Sequence, residues 1–249
     1  MMKNWKKYTV ANLVEMGFLE KPLDGNHGSL HPKSSDYVSK GVPFIMANNL
    51  INGKIDYKNC KYISKEQSNT LKKGKTVNGD VLLTHKATIG RTAIVNTDME
   101  YLILTPQVTY YRTKKNIDNL YLKYYFDSPI FQSLLANWSG GGSTRAYIGI
   151  TVQLKLPILL PPLKEQKAIA KVLSSLDEKI EVNNRMNEVL ENMAQAVFKR
   201  CFVDFEFPNE DGEPYKSSGG KMIESELGLI PEGWGIYKLK DILDVNPTY

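Results

Sequence analysis

The stretch that decides the fold runs from Leu156 to Phe202 and reads LPILLPPLKEQKAIAKVLSSLDEKIEVNNRMNEVLENMAQAVFKRCF. Pro157, Pro161 and Pro162 exclude a helix before Leu163, because proline lacks an amide hydrogen and clashes with the preceding turn. Helical spacing of apolar residues then continues without a break. The sequence therefore predicts a short apolar strand followed by one long helix that begins at Leu163.

Apolar and amide side chains recur along this helix at alternating intervals of four and three residues. The members of this row, which we call the seam, are Ile169, Leu173, Leu176, Ile180, Asn183, Asn187, Leu190, Ala194 and Val197. Such a rhythm is typical of a coiled coil, and asparagine within it fixes register at a cost in stability. An amphipathic helix lying on its own domain is the alternative. The paired asparagines favour assembly, so we predict that the seam dimerises.

Length, cysteine usage and apolar runs narrow the class of protein. A chain of 249 residues with 42% hydrophobic residues exceeds one average domain and supports a core. Cys60 and Cys201 are far apart in sequence, which favours a reducing compartment over a disulfide framework. The sequence contains neither a signal-peptide pattern nor an apolar run of membrane-spanning length. We therefore expect a cytoplasmic protein.

The formal net charge of +5 is unevenly distributed. Residues 1–155 contain 21 Lys and Arg against 11 Asp and Glu, whereas residues 156–249 contain 11 against 16. A basic first part favours a polyanionic partner such as nucleic acid. A scattered lysine-rich surface without function is the alternative.

Two segments resemble each other, and they indicate an internal repeat. Residues 4–15, NWKKYTVANLVE, align with residues 233–244, GWGIYKLKDILD, so that Trp5 matches Trp234 and Tyr8 matches Tyr237. We predict an α+β protein with a mixed α/β domain over 1–155, the long helix over 156–203, a linker over 204–232 and the start of a second, incomplete repeat over 233–249. Because the sequence ends at Tyr249, we expect the seam to meet a second copy of the chain.

Within the first domain, short β-branched and aromatic runs between Gly, Asn and Asp turns predict strands. Residues 64–73 and 119–137 are predicted helices, the second with Leu120, Tyr124 and Phe131 on one apolar face.

Polar and basic residues around two glycine-containing loops, together with three amide side chains elsewhere in the first domain, are the candidates for DNA contact. Arg and Lys suit phosphates and guanine edges, whereas Asn and Gln suit adenine. For any single residue an ordinary turn or surface role is an equal alternative, so the cluster carries the signal. The candidates are Lys86, Thr88, Arg91, Thr92, Ser143, Thr144, Arg145, Tyr147, Asn48, Asn49 and Gln107.

The sequence contains no convincing catalytic or metal-binding pattern. His27 and His31 have no cysteine or acidic partners at metal-ligand spacing, which favours polar loop histidines. The run Gly140–Gly142 lacks the Gly-Lys-Ser/Thr ending of a phosphate-binding loop. Residues 246–249, NPTY, differ at the third position from the Asn-Pro-Pro-Tyr element of amino-group methyltransferases. We expect a non-enzymatic chain without a metal or cofactor of its own.

The segment from Leu156 to Phe207, followed by KMIESELGLIPEGW, resembles the specificity subunits of type I restriction–modification systems. GDVLLTHKATIGRTAIV and GSTRAYIGITVQLKLPI are similar to the target-recognition domains of that family. The resemblance implies a non-catalytic subunit that reads half of a split double-stranded DNA target. It also implies methyltransferase subunits, which bind S-adenosylmethionine, and restriction subunits as partners, with a helical spacer between two DNA-reading domains.

For this chain, which carries one such helix, the resemblance implies a homodimer in which the helices of two copies pair antiparallel. The split DNA target of such a dimer would be palindromic. Three alternatives stay open. A coiled-coil adaptor would not bind DNA, a recognition fragment of a fused restriction–modification enzyme would need catalytic motifs, and a stand-alone methyltransferase would bind S-adenosylmethionine itself.

Overall fold

The computed structural model describes residues 5–140 and 146–243 and divides the chain into two compact units, Met1–Leu176 and Asp177–Tyr249. The strands are β1 (Lys6–Thr9), β2 (Leu23–Asp24), β3 (Tyr37–Val38), β4 (Val42–Ile45), β5 (Leu50–Ile51), β6 (Lys54–Ile55), β7 (Lys61–Ile63), β8 (Lys75–Thr76), β9 (Val81–Lys86), β10 (Thr88–Ile94), β11 (Leu102–Leu104), β12 (Val108–Tyr111), β13 (Pro157–Leu160), β14 (Met222–Ser225) and β15 (Gly228–Pro231). The helices are α1 (Val10–Glu15), α2 (Lys65–Thr70), α3 (Asn119–Asp127), α4 (Pro129–Trp138), α5 (Ile150–Gln153), α6 (Leu163–Phe198) and α7 (Leu239–Ile242). These elements confirm the predicted mixed α/β domain with a long helix after it.

Two sheets form the centre of the first unit. An antiparallel sheet has the order β10-β9-β12-β2, and a mixed sheet has the order β3-β7-β4-β11-β8, in which β4 and β11 are parallel. Strands β1 and β13 pair antiparallel, with Lys6 opposite Leu160 and Thr9 opposite Pro157. This pairing joins the start of the domain to the strand that leads into α6.

Each face of the β10-β9-β12-β2 sheet packs on its own apolar cluster. Val81, Leu83 and Tyr111 on one face pack in a cluster that includes residues of α1, α3, α4, β13 and the start of α6. On the other face, Leu82 and Ala93 join residues of β4 and β11. Alternate side chains of a strand point to opposite faces, which accounts for the division between Leu82 and Leu83.

Helix α6 begins at Leu163, as the prolines predict, and its first turns belong to the first unit. Gln166 is buried, and its amide bonds the Asp118 N–H at 3.0 Å and the carbonyls of Asn116 and Pro161 at 3.2 and 2.8 Å. Ala170 is also buried in the first cluster. The helix is therefore anchored to the domain by its amino-terminal turns.

The predicted helix over 119–137 is two helices, and the apolar face assigned to it is wrong. Ser128 adopts an extended conformation before Pro129, caps α4 through its hydroxyl and ends α3. The break changes the helical phase, so α3 buries Tyr121, Leu122 and Phe126. Leu120 is exposed, whereas Phe131 is buried on α4.

Residues 204–232, the predicted linker, contain the hairpin β14–β15 and part of an aromatic cluster. The Phe207 ring stacks on Tyr215 at 4.7 Å and on Trp234 at 5.5 Å between ring centroids. Trp234 also contacts Phe202, in a π-helical turn at Lys199–Val203. The aromatic residues between the turns pack on each other, which the spacing of the turns does not predict.

Candidate nucleic-acid interface

Strands β9 and β10 form a hairpin whose turn lies at Ala87, in the left-handed region with φ +64°. The Ala87 N–H donates to the Ala146 carbonyl at 3.1 Å, and Lys86 forms a β-bridge with Tyr147. The tip of the hairpin is thus joined to residues 146–148. The two segments that the sequence nominates for DNA contact meet here.

His85 lies beneath this junction and is buried. Its carbonyl accepts from the Ile148 N–H at 2.9 Å, and its N–H donates to the Gln107 carbonyl at 3.0 Å. The Nδ1 atom lies 3.2 Å from the Ile148 carbonyl, so Nδ1 carries the hydrogen in this bond. Three segments of the chain therefore meet at one residue. Burial lowers the pKa of His85, which favours the neutral imidazole.

A buried carboxylate, which the sequence does not nominate, faces this histidine. Asp24 Oδ2 lies 4.0 Å from His85 Nε2 and 2.8 Å from His27 Nε2, and Asp24 Oδ1 lies 3.3 Å from Lys73 Nζ. Asp24 and His27 lie in one segment, and only the fold brings Lys73 and His85 to them. No spacing in the sequence signals the group.

Lys86, Thr88 and Arg91 are exposed on the hairpin, and the Tyr147 side chain beside them is 50% exposed. Gln107 is half-buried in the turn between β11 and β12, and its main-chain carbonyl, which accepts from the His85 N–H, connects it to these residues. We call Lys86, Thr88, Arg91, Gln107 and Tyr147 the hairpin surface. It presents two cations, a hydroxyl, an amide and an aromatic ring.

Two candidates have internal roles. Asn49 is buried, and its side-chain oxygen accepts from the Met46 N–H at 2.9 Å, which caps a 3-10 turn. Thr92 is buried, and its hydroxyl donates to the Asp127 carboxylate. Asn48 is exposed in the turn Ala47–Asn49, outside the hydrogen-bonded hairpin surface.

Three further candidates, Ser143, Thr144 and Arg145, lie outside the described residues, as does the whole segment 244–249 that contains NPTY. The described part of the chain contains no cluster of three His, Cys, Asp or Glu side chains suited to a metal. His31 is packed against the Phe44 ring at 5.6 Å between centroids. Within residues 5–140 and 146–243, no helix is both long and apolar enough to cross a bilayer.

The seam residues divide into two groups by exposure. Ile169 and Leu173 are half-buried, and Ile169 packs against the core of the first unit. The remaining members are exposed: Leu176, Ile180, Asn183, Asn187, Leu190, Ala194 and Val197. The exposed fraction exceeds one half for Leu176, Ile180, Leu190 and Val197. The described residues of the chain therefore leave this part of the seam uncovered.

A family profile described as "Type I restriction modification DNA specificity domain" matches residues 2–192. The chain belongs to this family. The specificity subunit of the type I restriction enzyme MjaIX of Methanocaldococcus jannaschii is 31% identical over 86% of this chain and 48% of its own length. The MjaVIII specificity subunit of the same organism is 28% identical over 84% of this chain and 47% of its own length.

The solved structure of the HsdS subunit from Thermoanaerobacter tengcongensis has a similar fold, with a TM-score of 0.53 at 18% identity. The alignment covers 81% of this chain and 46% of that chain. The resemblance drawn from the sequence is confirmed. The chain spans about half the length of the curated relatives it matches.

Proposed function

We propose that this chain is the DNA-reading subunit of a type I restriction–modification complex and recognises one half of a split double-stranded target. The observation that carries the proposal is the hairpin surface, where Lys86, Thr88 and Arg91 are exposed beside Tyr147. Main-chain hydrogen bonds at Ala87 and His85 join its segments. A rigid support of this kind suits recognition, because it holds polar groups in place before the DNA arrives.

The chemistry divides between phosphate and base contacts. Lys86 is a compact cation suited to phosphate, and the planar fork of Arg91 suits the two acceptors of guanine. The Gln107 amide and Thr88 hydroxyl supply neutral donors and acceptors, and Arg145 extends the set. The excess of cations in residues 1–155 adds attraction that depends on salt. Affinity then comes mainly from charge, and sequence preference from a few side chains.

We also propose that two copies associate through the seam, with their α6 helices antiparallel. The exposure of Leu176, Ile180, Leu190 and Val197 supports this, since a sustained apolar row at heptad spacing suits a partner helix. A two-fold axis between the copies would make the two half-targets identical and inverted. The seam then sets the distance between the half-targets.

A second apolar row lies beside the seam on α6. It contains Val182, Met186, Val189 and Met193, each at least half exposed. A two-helix coiled coil covers only one row, so this second row stays available for the methyltransferase and restriction subunits. S-adenosylmethionine would bind the methyltransferase, and the complex would act in the cytoplasm. This chain would position the DNA for base flipping without performing the chemistry.

Filter binding of the full chain to a double-stranded DNA pool of random sequence, at 50 and 200 mM salt, tests the proposal. We expect retention that falls by at least about tenfold at the higher salt, because phosphate contacts release counterions. Lys86→Ala should reduce the salt slope by about one unit, whereas Lys179→Ala, on the exposed face of α6, should not. No DNA retention at either concentration would contradict the proposal and favour a protein-only adaptor.

A further inference from the structure

Strand β10 contains an irregularity directly beside Arg91. Thr88 pairs with Lys86 and Ile89 with His85, but the next pair is Thr92 with Leu83. Gly90 and Arg91 together therefore stand opposite the single residue Thr84. This arrangement is a β-bulge, which bends a strand and changes the direction of its side chains.

The bulge changes the face on which β10 residues lie. In a regular strand Ile89, Arg91 and Ala93 would share one face, because side chains alternate with a period of two. Here Ile89 and Ile94, five residues apart, pack against the same cluster, whereas Ala93 belongs to the cluster on the other face. The extra residue resolves this mismatch. Because of the extra residue, the Arg91 side chain belongs to neither apolar cluster and is exposed.

Two side chains hold the bulge from neighbouring elements. Thr84 is fully buried, and its hydroxyl oxygen accepts from the Arg91 N–H at 2.9 Å. Gln132 on α4 donates from Nε2 to the Gly90 carbonyl at 2.9 Å and to the Phe126 carbonyl at 2.7 Å. Both polar groups of the Gly90–Arg91 peptide, the Gly90 carbonyl and the Arg91 N–H, are thereby hydrogen-bonded to side chains.

Gly90 is required in this arrangement. Its φ of +90° is a conformation that residues with a Cβ rarely adopt. A Cβ at this position would also lie 2.3 Å from Gln132 Oε1. Beyond the bulge, Thr92 donates to Asp127, and Lys123 Nζ lies 3.0 Å from Asp127 Oδ2. The strand is therefore held to α3 and α4 on both sides of Arg91.

We infer that Thr84 and Gln132 are positioning residues that set the direction of Arg91 toward DNA, so that target preference depends on residues that do not contact DNA. The inference rests on the proposed function. A purely structural role for the two residues would predict lower stability with an unchanged preference. The two accounts differ in one measurable quantity, the ratio of affinities for preferred and scrambled DNA.

The test uses the full chain and double-stranded oligonucleotides with a randomised central segment. Sequences enriched by the wild-type protein are compared with scrambled versions by competition binding. Arg91→Ala should lower the preference ratio about tenfold. Thr84→Val and Gln132→Leu should each lower it at least about threefold, and neither should lower it further in an Arg91→Ala background, because effects exerted through one residue are not additive.

Two control variants separate positioning from stability. Thr84→Ser keeps the acceptor and should preserve the preference ratio within about twofold. Thr76→Val removes an equally buried hydroxyl from β8 of the other sheet, which donates to the Asp80 carboxylate at 2.8 Å, away from the bulge. It should lower the free energy of unfolding without changing the preference. Urea unfolding of every variant supplies the comparison.

The outcomes distinguish this inference from the function on which it rests. If Arg91→Ala lowers the ratio but Thr84→Val and Gln132→Leu leave it within twofold, the inference fails and the proposed function stands. Equal losses with and without Arg91 also overturn the inference. No enrichment by the wild-type protein, or an unchanged ratio in Arg91→Ala, overturns the role of Arg91 and the inference together.

Discussion

The two ends of α6 have the same apolar rhythm but different surroundings. In the first turns Gln166 and Ala170 are buried, and the Gln166 amide makes hydrogen bonds to three main-chain groups of the domain. From Leu176 onward the helix is exposed, with Ile180 at 57% and Leu190 at 54%. A repeating pattern therefore predicts that a helix needs partners, but it does not say whether those partners lie in the same chain.

The strongest test of this contrast places the same charge at two alanines of one helix. Ala170→Asp should lower the free energy of unfolding of the first unit by about 3 kcal/mol or more, because a carboxylate would be buried without a partner. Ala196→Asp, at an exposed position outside the seam, should cost less than about 1 kcal/mol. Urea unfolding monitored by tryptophan fluorescence gives both values. Similar losses would show that the two ends are not different.

A second pair of variants tests which exposed row forms the dimer. Leu190→Asp, in the seam, should weaken dimerisation by about 2–3 kcal/mol for each leucine side chain that is no longer buried, and each copy contributes one. Val189→Asp is the matched control, because Val189 is 50% exposed but lies in the second row. Sedimentation velocity over a concentration series measures both. Equal weakening by the two variants, or none by Leu190→Asp, would count against a seam dimer.

The asparagines of the seam provide a smaller effect of opposite sign. Substituting Asn183 and Asn187 together by Leu should strengthen dimerisation by about 1 kcal/mol or more while loosening its register. Spin labels on the native Cys201 of each copy, which is partly exposed, should then show a broader distance distribution. A dimer that is weaker, or that keeps a single narrow distance, would contradict the role assigned to the asparagines.

The smallest effect is a difference in pH response between the two units. All three histidines lie in the first unit, and burial lowers the pKa of His85 below its ordinary value of 6.5. The unfolded chain therefore binds the proton more readily. The free energy of unfolding should fall as pH drops below 6.5, until the pH reaches the lowered pKa of the folded state. His85→Asn should remove that part of the pH dependence.

Dimerisation through the seam should show no matching change between pH 5.5 and 7.5, because residues 177–249 contain no histidine. Unfolding and sedimentation measured across the same pH series provide the comparison. A His85→Asn variant with an unaltered pH dependence would exclude His85 as its source.

Local chemistry made part of this structure predictable. Three prolines fixed the start of α6 at Leu163, because proline restricts its own neighbours whatever the rest of the fold does. The prediction of one apolar face over residues 119–137 was wrong, and a proline is again the reason. Pro129 was present in the sequence, but the extended Ser128 before it divides the segment and changes the helical phase.

The candidate site was predictable as a cluster and not as individual side chains. The hairpin residues Lys86 and Arg91 are exposed, whereas Thr92 and Asn49 bond inward. Alternation along a strand predicts that the Arg91 and Thr92 side chains point to opposite faces, but it does not predict which of the two is buried. The β-bulge decides this, and it is held by a hydrogen bond from Gln132, more than 40 residues further along the chain. The Asp24–His85 pairing likewise depends on contacts across the sheet, which no local pattern contains.

The arrangement of half-targets tests the central proposal most directly. Selection by the full chain from double-stranded DNA with a long randomised segment, followed by sequencing, measures it. We predict enrichment of one short sequence present twice as an inverted repeat with a constant gap, because two identical domains would be held apart by one antiparallel helix pair. Enrichment of a single uninterrupted site, of two unrelated half-sites, or of no sequence at all would contradict the account.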